Sequence, residues 1–213
     1  MAQRSEPLIE LLAGQPVIPV LRIERLQDAV PLATALARGG LPAIEITLRT
    51  PVAVDAIRLV AEEVPQAIVG AGTILSARDY RKAAAAGAKF IVSPGTTQEL
   101  LDEASLGQVP FLPGAVTPSE IMALKEEGYT VLKFFPAEQA GGAPYLKSLA
   151  APLAAMRFCP TGGITPKNAG SYLALPNVIC IGGSWVAPDD LMQAGKWDAI
   201  EKLAADAAAL RKG

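Results

Sequence analysis

Ala43-Ile-Glu-Ile-Thr-Leu-Arg49, an alternating β-rich run, leads into an Ala- and Leu-rich helical stretch at Val52–Glu63, and at Ile68–Ala71 the pattern restarts. The same beat runs in both directions from this unit. The β-like runs are Val17–Leu21, Ala43–Leu48, Ile68–Ala71, Phe90–Val92, Phe111–Leu112, Thr130–Phe134, Arg157–Thr161 and Val178–Ile181. Helix-like segments such as Ala77–Ala86, Gln98–Ala104 and Pro118–Glu127 lie between them. Strand alternating with helix implies a parallel sheet. Eight units predict a single α/β domain over residues 1–213, a (β/α)8 TIM barrel. Ser5–Ala13 adds an extra N-terminal helix across one barrel end, and a long helix over Asp198–Leu210 closes the chain. An open doubly wound sheet is the alternative.

Local chemistry supports the helix starts. In Ser76-Ala-Arg-Asp79 and Thr117-Pro-Ser-Glu120 an acid follows a capping hydroxyl residue by three positions, as in a capping box. Thr97 stands at a third start, and Pro118 occupies the first helical position, where a missing N–H costs little. Pro31 fits less well: its helix either starts near Gln27 or kinks. Pro19, Pro113 and Pro160 lie in or beside strand runs, although a closed barrel has no edge strand to host them.

Composition narrows the chemistry. The 213 residues hold 19 Lys+Arg against 21 Asp+Glu, two Cys and no His. A net charge of −2 with no basic run gives no argument for nucleic acid. No long apolar segment reads as a signal peptide or a membrane span, and two Cys make no disulfide framework; the default compartment is the cytoplasm. Without His there is no Ser-His-Asp or Cys-His catalysis, and Cys159 and Cys180 alone are too few ligands for a usual zinc site. Proton transfer falls to a carboxylate, lysine, tyrosine or thiol.

Three signals carry that chemistry. Strand side chains alternate faces, so Glu45, Thr47 and Arg49 share one face and Ile44, Ile46 and Leu48 the other. Helices cover the outside of a barrel, so the polar face points inward. A structural Glu45–Arg49 ion pair would also satisfy this pattern. In Thr130-Val-Leu-Lys-Phe-Phe-Pro136, Lys133 is a lone cation in an apolar strand. Only the neutral amine attacks a carbonyl, and desolvation or a neighbouring cation such as Arg49 favours that form. Lys133 is therefore a Schiff-base candidate, or else a structural partner of Glu45. The third signal is a pair of glycine turns, Thr161-Gly-Gly-Ile-Thr-Pro-Lys167 and Ile181-Gly-Gly-Ser-Trp185. They follow the last two strands, where barrels usually bind phosphate. Gly70-Ala-Gly-Thr-Ile-Leu75 lacks the third glycine of a dinucleotide fingerprint, and Gly141–Ser148 lacks the glycine a P-loop needs before Lys147. Pro136–Pro144 reads as a mobile loop beside Lys133. Cys159, Cys180, Trp185 and Trp197 read as packing residues.

Glu45-Ile-Thr-Leu-Arg49, Gly70-Ala-Gly-Thr73, Ser93-Pro-Gly95, Lys133-Phe-Phe-Pro-Ala137, Cys159-Pro-Thr-Gly-Gly-Ile164 and Gly182-Gly-Ser-Trp185 together resemble the motifs of the 2-keto-3-deoxy-6-phosphogluconate (KDPG) aldolase family, in its order and over nearly the whole chain. The resemblance implies a homotrimeric class I aldolase of the Entner–Doudoroff pathway, free of metal and other cofactors. Its substrate would be a keto-deoxy sugar acid phosphate, and some members also cleave 4-hydroxy-2-oxoglutarate. On that resemblance Lys133 forms the Schiff base and Glu45 shuttles protons. Arg49 holds the pyruvyl carboxylate, assisted by Thr73. Pro94 and Phe135 wall the pocket, and Thr161 contacts the substrate. Gly162, Gly163, Gly183 and Ser184 hold the phosphate, and Arg22 adds a phosphate or hydroxyl contact. Alternatives stay open: an aldolase for the galactonate epimer, a phosphosugar isomerase that tolerates Lys133→Met, and a non-catalytic phosphometabolite sensor that binds without turnover. A metal-dependent aldolase lacks ligands.

Overall fold

Eight short parallel strands run β1 Val17–Leu21, β2 Ala43–Thr47, β3 Ile68–Gly72, β4 Ile91–Val92, β5 Phe111–Leu112, β6 Val131–Phe134, β7 Arg157–Pro160 and β8 Ile181–Gly183. The computed structural model describes residues 5–210; the ends of the expected 1–213 domain lie outside the described residues. One continuous ladder joins the strands in the order β5-β4-β3-β2-β1-β8, and β6 pairs with β7. Isolated parallel bridges join Gly114 to Lys133, Phe158 to Val178 and Thr161 to Gly182. These complete the ring, so the closed barrel and not the open sheet is the architecture.

The strand prolines explain where the ring is thin. Phe158 N–H donates to the Asn177 carbonyl on the β8 side. Pro160, two residues on, faces the same way and has no N–H to give, so the β7–β8 ladder shrinks to bridges. Pro113 stands at the other seam, where its carbonyl accepts the Lys133 N–H (2.9 Å). Pro19 is handled differently. Ile181 N–H donates to the Pro16 carbonyl, so the odd-numbered backbone groups of β1 face β2, and Pro19 leaves a donor missing there. The buried Gln15 side chain fills the gap. Its Nε2 donates to Ala43 O (2.8 Å) and Val17 O (2.7 Å), and its Oε1 accepts the Ala43 N–H (2.8 Å).

Helices α2 Ala29–Arg38, α3 Ala53–Glu63, α4 Ala77–Ala85, α5 Gln98–Leu106, α6 Pro118–Glu126, α7 Gly142–Leu149, α8 Ala169–Leu173 and α9 Asp189–Gln193 lie between the strands or after β8, and α10 Trp197–Ala208 ends the described chain. Ser76, Thr97 and Thr117 cap α4, α5 and α6, the last with a complete capping box. A short 3₁₀ turn at Leu26–Asp28 runs into α2, so helical structure begins near Gln27 and Pro31 falls in the first turn of α2. Ile44 and Ile46 face outward into the core beneath these helices. A second core fills the barrel itself. Ile18, Phe90, Val131, Cys159 and Cys180 lie there, and Leu8 and Leu12 of α1 (Ser5–Ala13) plug its base. Among the described residues no helix is long and apolar enough to cross a membrane.

Candidate active site

The α1 plug closes the N-terminal end of the barrel, so inward side chains near the strand C-termini line an open cleft of about 620 Å³ at the other end. Parity delivers Glu45 from β2 and Lys133 from β6 into it. Both are buried, with 5% and 6% of their side chains exposed, and Lys133 Nζ donates to Glu45 Oε1 at 3.2 Å. Glu45 fits because β3 gives way: a Cβ on Gly72 would lie 1.9 Å from Glu45 Oε1. The ring of Phe135 flanks the amine, its centroid 5.4 Å from Nζ. Neither ionisable group is therefore buried without a partner.

Glu45 thus pairs with Lys133, not with Arg49. Arg49 follows β2 and is exposed. Its Nε–H donates to Thr47 Oγ1 (3.0 Å), whose own hydroxyl donates to the Leu21 carbonyl (2.7 Å). This relay fixes the guanidinium at the rim and leaves its two outer NH2 groups for an anion. Thr73, after β3, adopts φ +59°, a left-handed backbone that a β-branched residue rarely takes and that tends to mark a functional position. Pro94 follows β4 on the same wall.

Thr161, Gly162 and Gly163 follow β7, and Gly183 and Ser184 end β8; all line the cleft. Gly162 and Gly163 hold φ of +104° and +73°, which only glycine adopts freely. The segment expected to be mobile beside Lys133 is instead a tied turn. Ala137 N–H donates to Thr161 O (2.8 Å), Glu138 N–H to Gly162 O (3.1 Å) and Gly142 N–H to Ala137 O (2.9 Å). The Glu138 carboxylate also accepts a hydrogen bond from the hydroxyl of fully buried Tyr172 on α8. Desolvation by burial, reinforced by that carboxylate, pushes the Tyr172 hydroxyl well above its ordinary pKa.

Arg22 is the exception among the expected residues. It lies just past β1, pairs with Glu24 at 2.6 Å, and lines a separate surface cleft with Arg25 and Asp28. Beyond the strand the two-residue alternation no longer governs direction, so Arg22 turns to the neighbouring carboxylate. Conversely, Val20, Ile164 and Gly182 also line the cleft. Ile164 and Gly182 fall within the two glycine turns, whereas Val20 is a single apolar residue with no sequence signal of its own.

The family model for KDPG and KHG aldolases matches residues 8–203. The KHG/KDPG aldolase of Escherichia coli K12 is 50% identical over 197 residues, 92% of each chain. The 2-dehydro-3-deoxy-phosphogluconate aldolase of Pseudoalteromonas atlantica is 50% identical over 200 residues, 94% of this chain and 93% of its own. A solved KDPG aldolase from Legionella pneumophila, with pyruvate captured at low pH as a covalent carbinolamine, superposes with a TM-score of 0.93 at 43% identity, over 95% of this chain and 98% of its own. The chain belongs to the KDPG and KHG aldolase family.

Proposed function

We propose that this chain is a class I aldolase that cleaves 2-dehydro-3-deoxy-6-phosphogluconate to pyruvate and D-glyceraldehyde 3-phosphate. The observation that carries the reading is the buried Lys133 Nζ, 3.2 Å from Glu45 Oε1 at the floor of the cleft. Passing the ammonium proton to Glu45 leaves a neutral amine to attack the keto carbon. Glu45 then returns the proton to the departing hydroxyl, water leaves, and the carbinolamine becomes an iminium. The carboxylate next takes the C4 hydroxyl proton. The C3–C4 electron pair flows into the iminium as an enamine, and the aldehyde departs. Protonation at C3 and hydrolysis release pyruvate and restore Lys133.

The remaining residues place the substrate around that bond. Arg49, held by Thr47, takes the carboxylate in a fork geometry, with Thr73 beside it and Pro94 and Phe135 as walls. Thr161 contacts the hydroxylated carbons. Backbone N–H groups of Gly162, Gly163, Gly183 and Ser184 receive the phosphate, and Arg22 would contribute only by leaving Glu24. The iminium is the electron sink, so the reaction calls for no metal. The family setting supports a homotrimer in the cytoplasm serving the Entner–Doudoroff pathway, with 4-hydroxy-2-oxoglutarate as a second substrate.

Borohydride reduction with pyruvate tests the reading. It is expected to abolish activity and to leave a reduced pyruvyl adduct that peptide mapping places on Lys133. Full activity in a Lys133→Met variant, or loss of activity on chelation, would overturn it.

A further inference from the structure

We propose that Asn168, outside the cleft, is a positioning residue that aims the Ile164 backbone N–H, in the loop after β7, at the substrate phosphate. The inference rests on the phosphate reading above and adds what makes that loop an anion cup. In a trans peptide the C=O of one residue and the N–H of the next lie in one plane and point opposite ways. The Gly162 carbonyl accepts the Glu138 N–H at 3.1 Å, so the Gly163 N–H points away from the β6–α7 turn. The Gly163 carbonyl accepts Asn168 Nδ2–H at 3.2 Å, so the Ile164 N–H points away from Asn168. Gly162, Gly163 and Ile164 all line the cleft, and among the described residues neither of these N–H groups has a hydrogen-bond partner. Asn168 Oδ1 meanwhile accepts the Thr165 N–H at 2.7 Å and the Thr165 hydroxyl at 3.3 Å. One amide therefore clamps the chain on both sides of Ile164.

A plain turn-holding role for Asn168 at Thr165, ahead of α8, would need only the acceptor oxygen. Asn168→Asp keeps that oxygen and loses the donor to Gly163, so it separates the two roles. The full-length enzyme, Asn168→Asp and Asn168→Ala are compared by steady-state kinetics with the phosphorylated substrate. The pyruvate concentration that half-saturates borohydride inactivation is measured alongside. Asn168→Asp is expected to raise KM for the phosphorylated substrate about tenfold, the scale of one lost hydrogen bond to a charged group, with kcat and pyruvate half-saturation within about twofold. Repeating the assay near ~0.5 M salt, where exposed charges are screened, should leave the effect in place. A wild-type KM in Asn168→Asp, an effect that vanishes in salt, or an equal loss in pyruvate trapping would overturn the proposal. If Asn168→Ala does not fold, Asn168→Asp alone decides. Competitive inhibition of the wild-type enzyme by inorganic phosphate isolates the parent reading: its absence would sink the phosphate cup itself, whereas its presence with an indifferent Asn168→Asp would sink only the role of Asn168.

Discussion

Glu45 shares its Oε1 between the Lys133 ammonium and the space that Gly72 leaves free. The room for this carboxylate is therefore set by a residue with no side chain. Gly72→Ala would put a methyl 1.9 Å from that oxygen, and the carboxylate must swing off Lys133. We expect kcat to fall by about 10²–10⁴, the usual range of positioned acid–base catalysis, while pyruvate and borohydride still label Lys133, more slowly. A kcat near wild type would show that Glu45 does not need this position. At this scale the sequence was legible through parity: Glu45, Thr47 and Lys133 face inward because strand side chains alternate. The choice of partner was not legible: the pattern left both Arg49 and Lys133 open for Glu45. Glu45 meets Lys133 across the barrel from β6, a distance that no local pattern encodes, and Arg22 falls just beyond the strand, where alternation stops.

Among the elements, strand and helix order was readable because periodicity and caps are local, and Thr117-Pro-Ser-Glu120 closed as a capping box as its spacing predicted. The Thr117 N–H bonded to Glu120, the largest influence, holds that carboxyl below its ordinary pKa, helped by the Val116 N–H and opposed by partial desolvation. A lowered folded pKa contributes stability above the unfolded carboxylate value, near about 4.3, and that stability is lost as pH falls through the folded value. Thermal unfolding should therefore find Glu120→Gln less stable than wild type at neutral pH, with the difference shrinking in acid; a gap constant down to low pH would contradict the linkage. What sequence could not show is how β1 tolerates Pro19. The answer is the buried amide of Gln15, 28 residues from Ala43 in sequence. Gln15→Leu strands the Ala43 carbonyl and N–H in the interior, and each unsatisfied buried group costs about 1–3 kcal/mol. A denaturant midpoint unchanged from wild type would show that the strands close the gap without it.

The whole molecule divides these duties between its two ends. The rim at the strand C-termini carries Lys133, Glu45 and the glycine turns, while the base is sealed by Leu8 and Leu12 against Ile18, Val131 and Cys159. Cys159 is the register partner of Lys133 on the neighbouring strand, so base and rim are separated by little more than one layer of side chains. Leu12 is fully buried, and truncating a buried leucine costs about 2–5 kcal/mol through lost contacts and the cavity left behind. If strand geometry alone positions Lys133, Leu12→Ala should lower the unfolding free energy by that amount and leave kcat and pyruvate trapping unchanged at temperatures where the variant is folded. Should kcat fall with stability, the plug beneath the barrel would belong to the catalytic machinery, because packing at the base would then set the height at which Lys133 meets Glu45.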